Sequence, residues 1–303
     1  MHPITHVLCP VDFSETSRAP LRLGGAIAEY LHARLTVLTV DDPMLAQVSA
    51  HSAPSLTSES ERELRRFADD TLARGNGTRL ALDVAVAIGK PAPEILRFAR
   101  EREVGLIVMS SEGRSGARKM FFGSTTERVL RETRVPVLVM PPAHGPHGHG
   151  DVAAEVAARQ LNRIIVPVDF AVSATSQLRA ASRLATELRV PLVLVHVLEP
   201  VFIPHNVRMA MSGVDTARRE RAEEQLAALA DSLPDGVHTE TMVLSGDPSE
   251  EITKLVNTRQ AHLIVIGLHS SGLLGPRMGS VTYRVICMSH APVLALPPDP
   301  ASS

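Results

Sequence analysis

The chain repeats itself. "HVLCPVDF" at 6–13 returns as "RIIVPVDF" at 163–170, which sets Asp12 against Asp169 at an offset of 157 residues. "RLTVLTVDDP" at 34–43 answers to "PLVLVHVLEP" at 191–200, and "GKPAPEILRFAREREVGLIVM" at 89–109 to "GDPSEEITKLVNTRQAHLIVI" at 246–266, both at the same offset. Beyond that the offset falls to 156: Gly123-Ser124 pairs with Gly279-Ser280, and "VPVLVMPP" at 135–142 with "APVLALPP" at 291–298. Self-similarity on this scale means two copies of one folding unit. The pattern predicts a first domain over 1–142, a linker over 143–160 and a second domain over 161–303. The junction is rich in Pro, Gly and His, as flexible connections are. His144, His147 and His149 lie there without a carboxylate or Cys at a fixed metal-ligand spacing, so a solvated linker is the better reading.

A length of 303 residues suits two ordinary domains, each with its own core. Aromatic residues make up 3% of the chain and Trp is absent, so the cores must be aliphatic and no row of rings is available for stacking bases. With a formal charge of −2 there is no general basic field to hold a polyanion. Cys9 and Cys287 form neither a disulfide framework nor a metal spacing, and Cys9 lies in an apolar run as a small core residue would. No apolar stretch reaches the length of a membrane span, and "MHPITHVLCP" is too short and polar for a secretory signal. The expectation is a cytoplasmic protein without a nucleic-acid or membrane partner.

Strand-like and helix-like periods alternate within each copy. In the first, strand runs fall near 6–11, 35–40, 80–87, 105–109 and 135–140, and helical patterns near 15–32, 59–73, 92–103 and 124–133. Leu21, Leu23, Ile27 and Leu31 give the first helix an apolar face, and Ile95, Leu96 and Phe98 do so for the third. Pro91 and Pro93 sit at a helix start, where proline is tolerated. Strands apolar on both sides, alternating with helices, predict an α/β fold: two tandem doubly wound domains with parallel sheets covered on both faces. Such sheets bind ligands beyond the carboxyl ends of their strands, where the chain order reverses. Asp12, Val40 and Ser110 fall at such ends.

Two stretches there could carry chemistry. Asp12 precedes "FSETS", where a helix begins; its carboxylate can satisfy free helix N–H groups or meet a ligand. Ser14 can take the capping role in copy one and leave Asp12 to a ligand, whereas copy two has Ala171 at that place and keeps Asp169. The second stretch is "MSSEGRSGARKMFFGST" at 109–125, which reads Ser110-x2-Gly113-x9-Gly123-Ser124. Glycines let backbone N–H groups turn toward an anion, a helix start adds more of them, and Arg114, Arg118 and Lys119 add charge. The other reading is a surface loop with solubilising charge. No Gly-Lys-Ser/Thr follows, so it is not a Walker loop, and the dinucleotide fingerprint belongs after the first strand, where "PVDFSET" stands instead.

Taken together and in order, twice, these residues resemble the universal stress protein family: "PVDFS" after the first strand, a valine ending the second, a glycine loop after the fourth and a final "PVLV" strand. The resemblance implies five parallel strands per domain in the order 3-2-1-4-5. ATP-binding members carry G-x2-G-x9-G-[ST] at the loop. By that likeness Pro10, Val11, Asp12 and Val40 would meet adenine. Met109, Ser110 and Gly113 would approach ribose and phosphates, and Gly123, Ser124 and Thr125 would cradle the phosphate chain. Copy two offers Pro167, Val168, Asp169, Val197, Ile266, Gly267, Gly279, Ser280 and Val281.

Both loops depart from the family pattern. Copy one has Ser110 where the first glycine is expected, which is costly if the position needs a positive φ and harmless if it needs only a small residue. Copy two keeps Gly267 but reads Gly267-x4-Gly272-x6-Gly279-Ser280, one residue shorter, with Ser270 inside it. The resulting expectation is a stress-response regulator that binds ATP in at least one half, with Mg2+ admissible beside the nucleotide. It acts as a sensor and not as a dedicated catalyst. A nucleotide-free scaffold and a slow ATP-hydrolysing enzyme are the alternatives. The apolar last strands predict that the two copies pair with each other through them, which leaves room for a homodimer or another protein partner. Segments 41–58 and 200–213 are irregular and read as lids or loops.

Overall fold

A computed structural model describes residues 3–44, 53–72, 80–112, 123–141, 162–171, 174–200, 213–234, 236–259, 261–268 and 278–298. The chain divides into two compact units, one of Met1–Gln160 with Leu294–Pro297 and one of Leu161–Val293 with Pro298–Ser303; the two sequence copies are described in turn as the first and second unit. The linker 143–160 lies outside the described residues.

The first unit runs β1 (His6–Pro10), a 3-10 turn (Glu15–Ser17), α1 (Arg18–Tyr30), β2 (Arg34–Asp41), α2 (Ala53–Leu72), β3 (Leu82–Ile88), α3 (Pro91–Glu101), β4 (Leu106–Ser110), α4 (Ser124–Glu132) and β5 (Val137–Met140). The second repeats the plan as β6 (Ile164–Pro167), α5 (Ala174–Leu188), β7 (Leu192–Leu198), α6 (Val214–Asp231), β8 (Thr239–Ser245), α7 (Pro248–Thr258), β9 (Leu263–Gly267), α8 (Ser280–Met288) and β10 (Val293–Leu296). Strand order is 3-2-1-4-5 within the first unit and 8-7-6-9-10 within the second. Val7 stands between Leu35 and Leu106 in parallel register, and Ile164 between Leu192 and Leu263. The chain order therefore reverses at β1 and at β6, and a crevice opens where β1 parts from β4 and β6 from β9.

Aliphatic side chains build both cores, as the scarcity of rings requires. Leu8, Leu21, Leu23, Leu35 and Ile107 are fully buried in the first unit, Ile164, Ile165 and Leu192 in the second. β5 and β10 are buried along their whole length, the pattern of strands covered on two faces. In the first unit α1 packs on α2 and α3 on α4, which gives each face of the sheet a helix pair.

Some local expectations change. α2 begins at Ala53, inside the stretch read as lid or loop, because a Ser- and Thr-rich run shows no apolar period while its Pro54 suits a first helical turn. α3 buries Ala92, Ile95 and Ala99; Leu96 and Phe98 are only half-buried, since small alanines continue the stripe begun by Ile95. Gly213 adopts φ 102° as the residue preceding α6, and 201–212 lie outside the described residues. Among the described residues no helix is long and apolar enough to cross a membrane.

Candidate ligand-binding site

The first unit has a cavity of about 490 Å³ beyond the carboxyl ends of β1, β2 and β4. Pro10, Val11 and Asp12 enter it from the end of β1, Val40 from β2, Met109 and Ser110 from β4, and Gly123, Ser124 and Thr125 from the start of α4. These come from three strands and a helix, and the carboxyl edge of the sheet brings them together. Gly113, Arg114, Arg118 and Lys119 lie outside the described residues. The sequence reading missed an apolar wall from Pro91 and Ile95 on α3, and it missed the carboxylates of Asp41, Asp42 and Glu112. The repeat itself carries a signal for the wall: Pro248 and Ile252 stand at the matching positions and line the second cavity.

Asp12 organises the turn that follows β1. Its Oδ1 accepts the Ser14 N–H at 3.1 Å, the Ser17 hydroxyl at 2.6 Å and the Ser14 hydroxyl. Ser14 does not cap the helix with its side chain, contrary to the role the sequence suggested for it. The shape of the turn explains this. Phe13 takes φ 63°, a left-handed conformation that costs energy for a residue with a Cβ, and the Asp12 carboxylate folds back over it onto the following N–H. Phe170 repeats that conformation at φ 57°, and Asp169 Oδ1 again accepts the N–H two residues on, from Ala171 at 3.0 Å. The Phe13 ring packs edge-on against Phe67 of α2.

The loop between β4 and α4 is clasped at its neck. The Gly123 N–H donates to the Ser111 carbonyl at 2.9 Å, and the Thr126 hydroxyl to the Ser110 carbonyl at 2.8 Å. In the second unit Gly279 N–H donates to the Leu268 carbonyl at 3.1 Å, and Thr282 to the Gly267 carbonyl at 2.9 Å. The missing residue thus falls between two ends held in the same way, and the helix start keeps its place. The neck also answers the question about Ser110. Neither Ser110 nor Gly267 has a positive φ. A Cβ built on Gly267 would meet nothing nearer than Gln177 Oε1 at 3.6 Å, an ordinary contact. The position asks only for a small residue, and serine fits.

The second cavity, about 300 Å³, lies at the ends of β6, β7 and β9. Pro167, Val168 and Asp169 reach it from β6, Val197 from β7, Ile266 and Gly267 from β9, and Gly279, Ser280 and Val281 from the start of α8. Gln177, His196 and Glu199 complete it in ways the sequence reading did not foresee. His196 Nδ1 lies 2.7 Å from the Val168 carbonyl, which can only accept, so Nδ1 carries the proton; its ring rests on Phe170 at 4.4 Å.

At each helix start the first turn leaves N–H groups without intrahelical partners, and the residues that carry them line the cavity. The partial positive charge of that end favours an anion. Elsewhere the first cavity is acidic: Asp12, Asp41, Asp42 and Glu112 line it. Among the described residues no three His, Cys, Asp or Glu side chains come together as a metal site. Cys9 is fully buried, and burial pushes its thiol pKa far up, which removes it as a nucleophile.

A model of the universal stress protein family matches the chain twice, over residues 3–141 and 160–297. A universal stress protein of Mycolicibacterium smegmatis is 24% identical over 297 residues, 96% of this chain and 97% of its own length. The universal stress protein YxiE of Bacillus subtilis is 27% identical over 143 residues, 44% of this chain and 97% of its own. A universal stress protein structure from Archaeoglobus fulgidus shares the fold, with a TM-score of 0.65 and 20% identity, covering 98% of this chain and 97% of that one.

Proposed function

The chain belongs to the universal stress protein family, which matches it in both halves, and from that premise we propose that it is a stress-response regulator that binds ATP in at least one of its two cavities. The observation that carries this reading is the convergence of Asp12, Val40, Met109 and Ser110 on the same cavity as the N–H groups of the first turn of α4. An adenine ring fits the apolar side, between Val11, Val40 and Ile95. Phosphates belong at the α4 end, where N–H groups and the Ser124 and Thr125 hydroxyls can donate, and away from Asp41 and Asp42. When bound, ATP supplies the anionic charge that this end of the helix lacks. Mg2+ would travel with the phosphates, since one organised carboxylate, Asp12, is a poor site by itself.

Among the described residues, the polar side chains around the cavities hold and orient. Asp12 is engaged by Ser14 and Ser17, and His196 gives its Nδ1 proton to a main-chain carbonyl. A sensor role follows from what α4 joins. Its first turn meets the nucleotide, while Glu127–Arg131 and Arg128–Glu132 ion pairs lie on its exposed side, where a protein partner in the cytoplasm would read a change. Denaturing freshly purified, extensively washed protein and quantifying released nucleotide by mass spectrometry tests this. ATP at a stoichiometry near one or two per chain supports the reading. An empty protein that also fails to bind added ATP at millimolar concentration favours a nucleotide-free scaffold.

A further inference from the structure

The two cavities are not chemical copies. Where the first unit has Pro20 on α1 and Ser110 at the end of β4, the second has Gln177 on α5 and Gly267 at the end of β9. Gln177 is 7% exposed and lines the second cavity. Its Nε2 donates to the Pro167 carbonyl at 2.8 Å and to the Val265 carbonyl at 2.9 Å, stitching β6 to β9 where the strands part. Both partners can only accept, so the orientation of the carboxamide is fixed and Oε1 is the remaining atom. That oxygen lies 3.6 Å from where a Cβ on Gly267 would stand, and no described protein group donates to it. An acceptor that opens onto the cavity with no described protein donor is available to take a hydrogen bond from a ligand.

We infer that Gln177 is a specificity-determining residue of the second cavity, accepting a hydrogen bond from a sugar hydroxyl of the bound nucleotide and so selecting ribonucleotides over deoxyribonucleotides. The inference rests on the nucleotide reading above. A phosphate oxygen is excluded at this point because two acceptors repel, and the donors for phosphate lie at the start of α8. The base belongs against the apolar Val168 and Val197 of the same lining. The sugar is what lies between them, beside Gly267. In the first unit Ser110 offers a hydroxyl at the matching position, which can donate as well as accept and therefore discriminates less.

The test uses the full chain, with the ring signal of His196 in a histidine-labelled NMR spectrum as a reporter confined to the second cavity. ATP, 2′-deoxy-ATP and 3′-deoxy-ATP are titrated in turn. One of the two deoxy analogues is expected to bind about tenfold more weakly than ATP. In Gln177→Leu that difference should vanish. Because this variant also removes the stitch between β6 and β9, Gly267→Ser serves as a second: its hydroxyl can donate to Oε1 while both Nε2 bonds remain, and the discrimination should vanish there too. Equal affinity of wild type for all three nucleotides overturns the inference and leaves ATP binding standing. A His196 signal that no nucleotide moves overturns ATP binding in this unit, and the inference with it.

Discussion

Thr126 Oγ1 donates to the Ser110 carbonyl across 2.8 Å and ties the first turn of α4 to the last residue of β4. Thr282 and Gly267 make the same bond at 2.9 Å in the second unit. The bond fixes the helix start relative to the strand end, so the N–H groups of the first turn of α4 and Ser110 keep one spacing. Thr126→Val keeps the shape and removes the donor. It should cost about 1 kcal/mol of stability and weaken ATP binding several-fold, read by chemical denaturation and calorimetric titration of the same protein.

Asp12 and Asp169 hold the same turn with different support. Asp12 Oδ1 gathers a backbone N–H and two hydroxyls, whereas Asp169 Oδ1 takes the Ala171 N–H. Asp12→Ala should therefore destabilise by about 1–3 kcal/mol and Asp169→Ala by about 0.5–1.5 kcal/mol. Urea midpoints of the two variants check the order; a larger loss at Asp169 would refute it.

Gly24 of α1 faces Cys9 so closely that an added Cβ would stand 2.2 Å from the Cys9 sulfur, with Val108 next at 3.7 Å. Alanine is the better helix former by about 1 kcal/mol, but a collision in a close-packed core costs about 1–3 kcal/mol and should win. Gly24→Ala is expected to lower the melting temperature. Combining it with Cys9→Ala removes the sulfur and should restore much of the loss, which a double-mutant cycle measures.

Much of this was legible in the chain, and the reasons are physical. Parallel strands buried on both faces appear as unbroken apolar runs, so Asp12, Val40 and Ser110 could be placed at strand ends, and the repeat placed their counterparts. The left-handed Phe13 was not legible, because nothing in "VDFSE" distinguishes that conformation from an ordinary turn. Gln177 was not legible either: its bonds are to carbonyls of β6 and of β9, the latter 88 residues away. The start of α2 was hidden by serines and threonines, whose polarity erases the helical period.

Asp247 caps α7 with its side chain, accepting the Glu250 N–H, while Lys90 at the matching place on α3 makes no such bond. Hydrogen bonds from the Ser249 hydroxyl and the Glu250 N–H, with Arg284 beside it, hold its pKa near 2, below the ordinary 3.8. A folded-state pKa below the unfolded one means that the carboxylate stabilises the fold above about pH 4, and that this contribution is lost as pH falls toward 2. Asp247→Ala should cost about 1 kcal/mol at neutral pH. The gap from wild type should close between pH 4 and pH 2, measured by urea unfolding across that range.

Hydrogen exchange at the start of α4, residues 123–127, tests the central claim most directly. The amides of Ser124, Thr125 and Thr126 have no partner within the helix and should become protected when ATP saturates the first cavity, with saturation set by an independent titration. Slowed exchange there, with residues 128–132 of the same helix changed less, is the expected result. Unchanged exchange at 123–127 under full occupancy would contradict the account, because the phosphates would then lie somewhere other than the end of this helix.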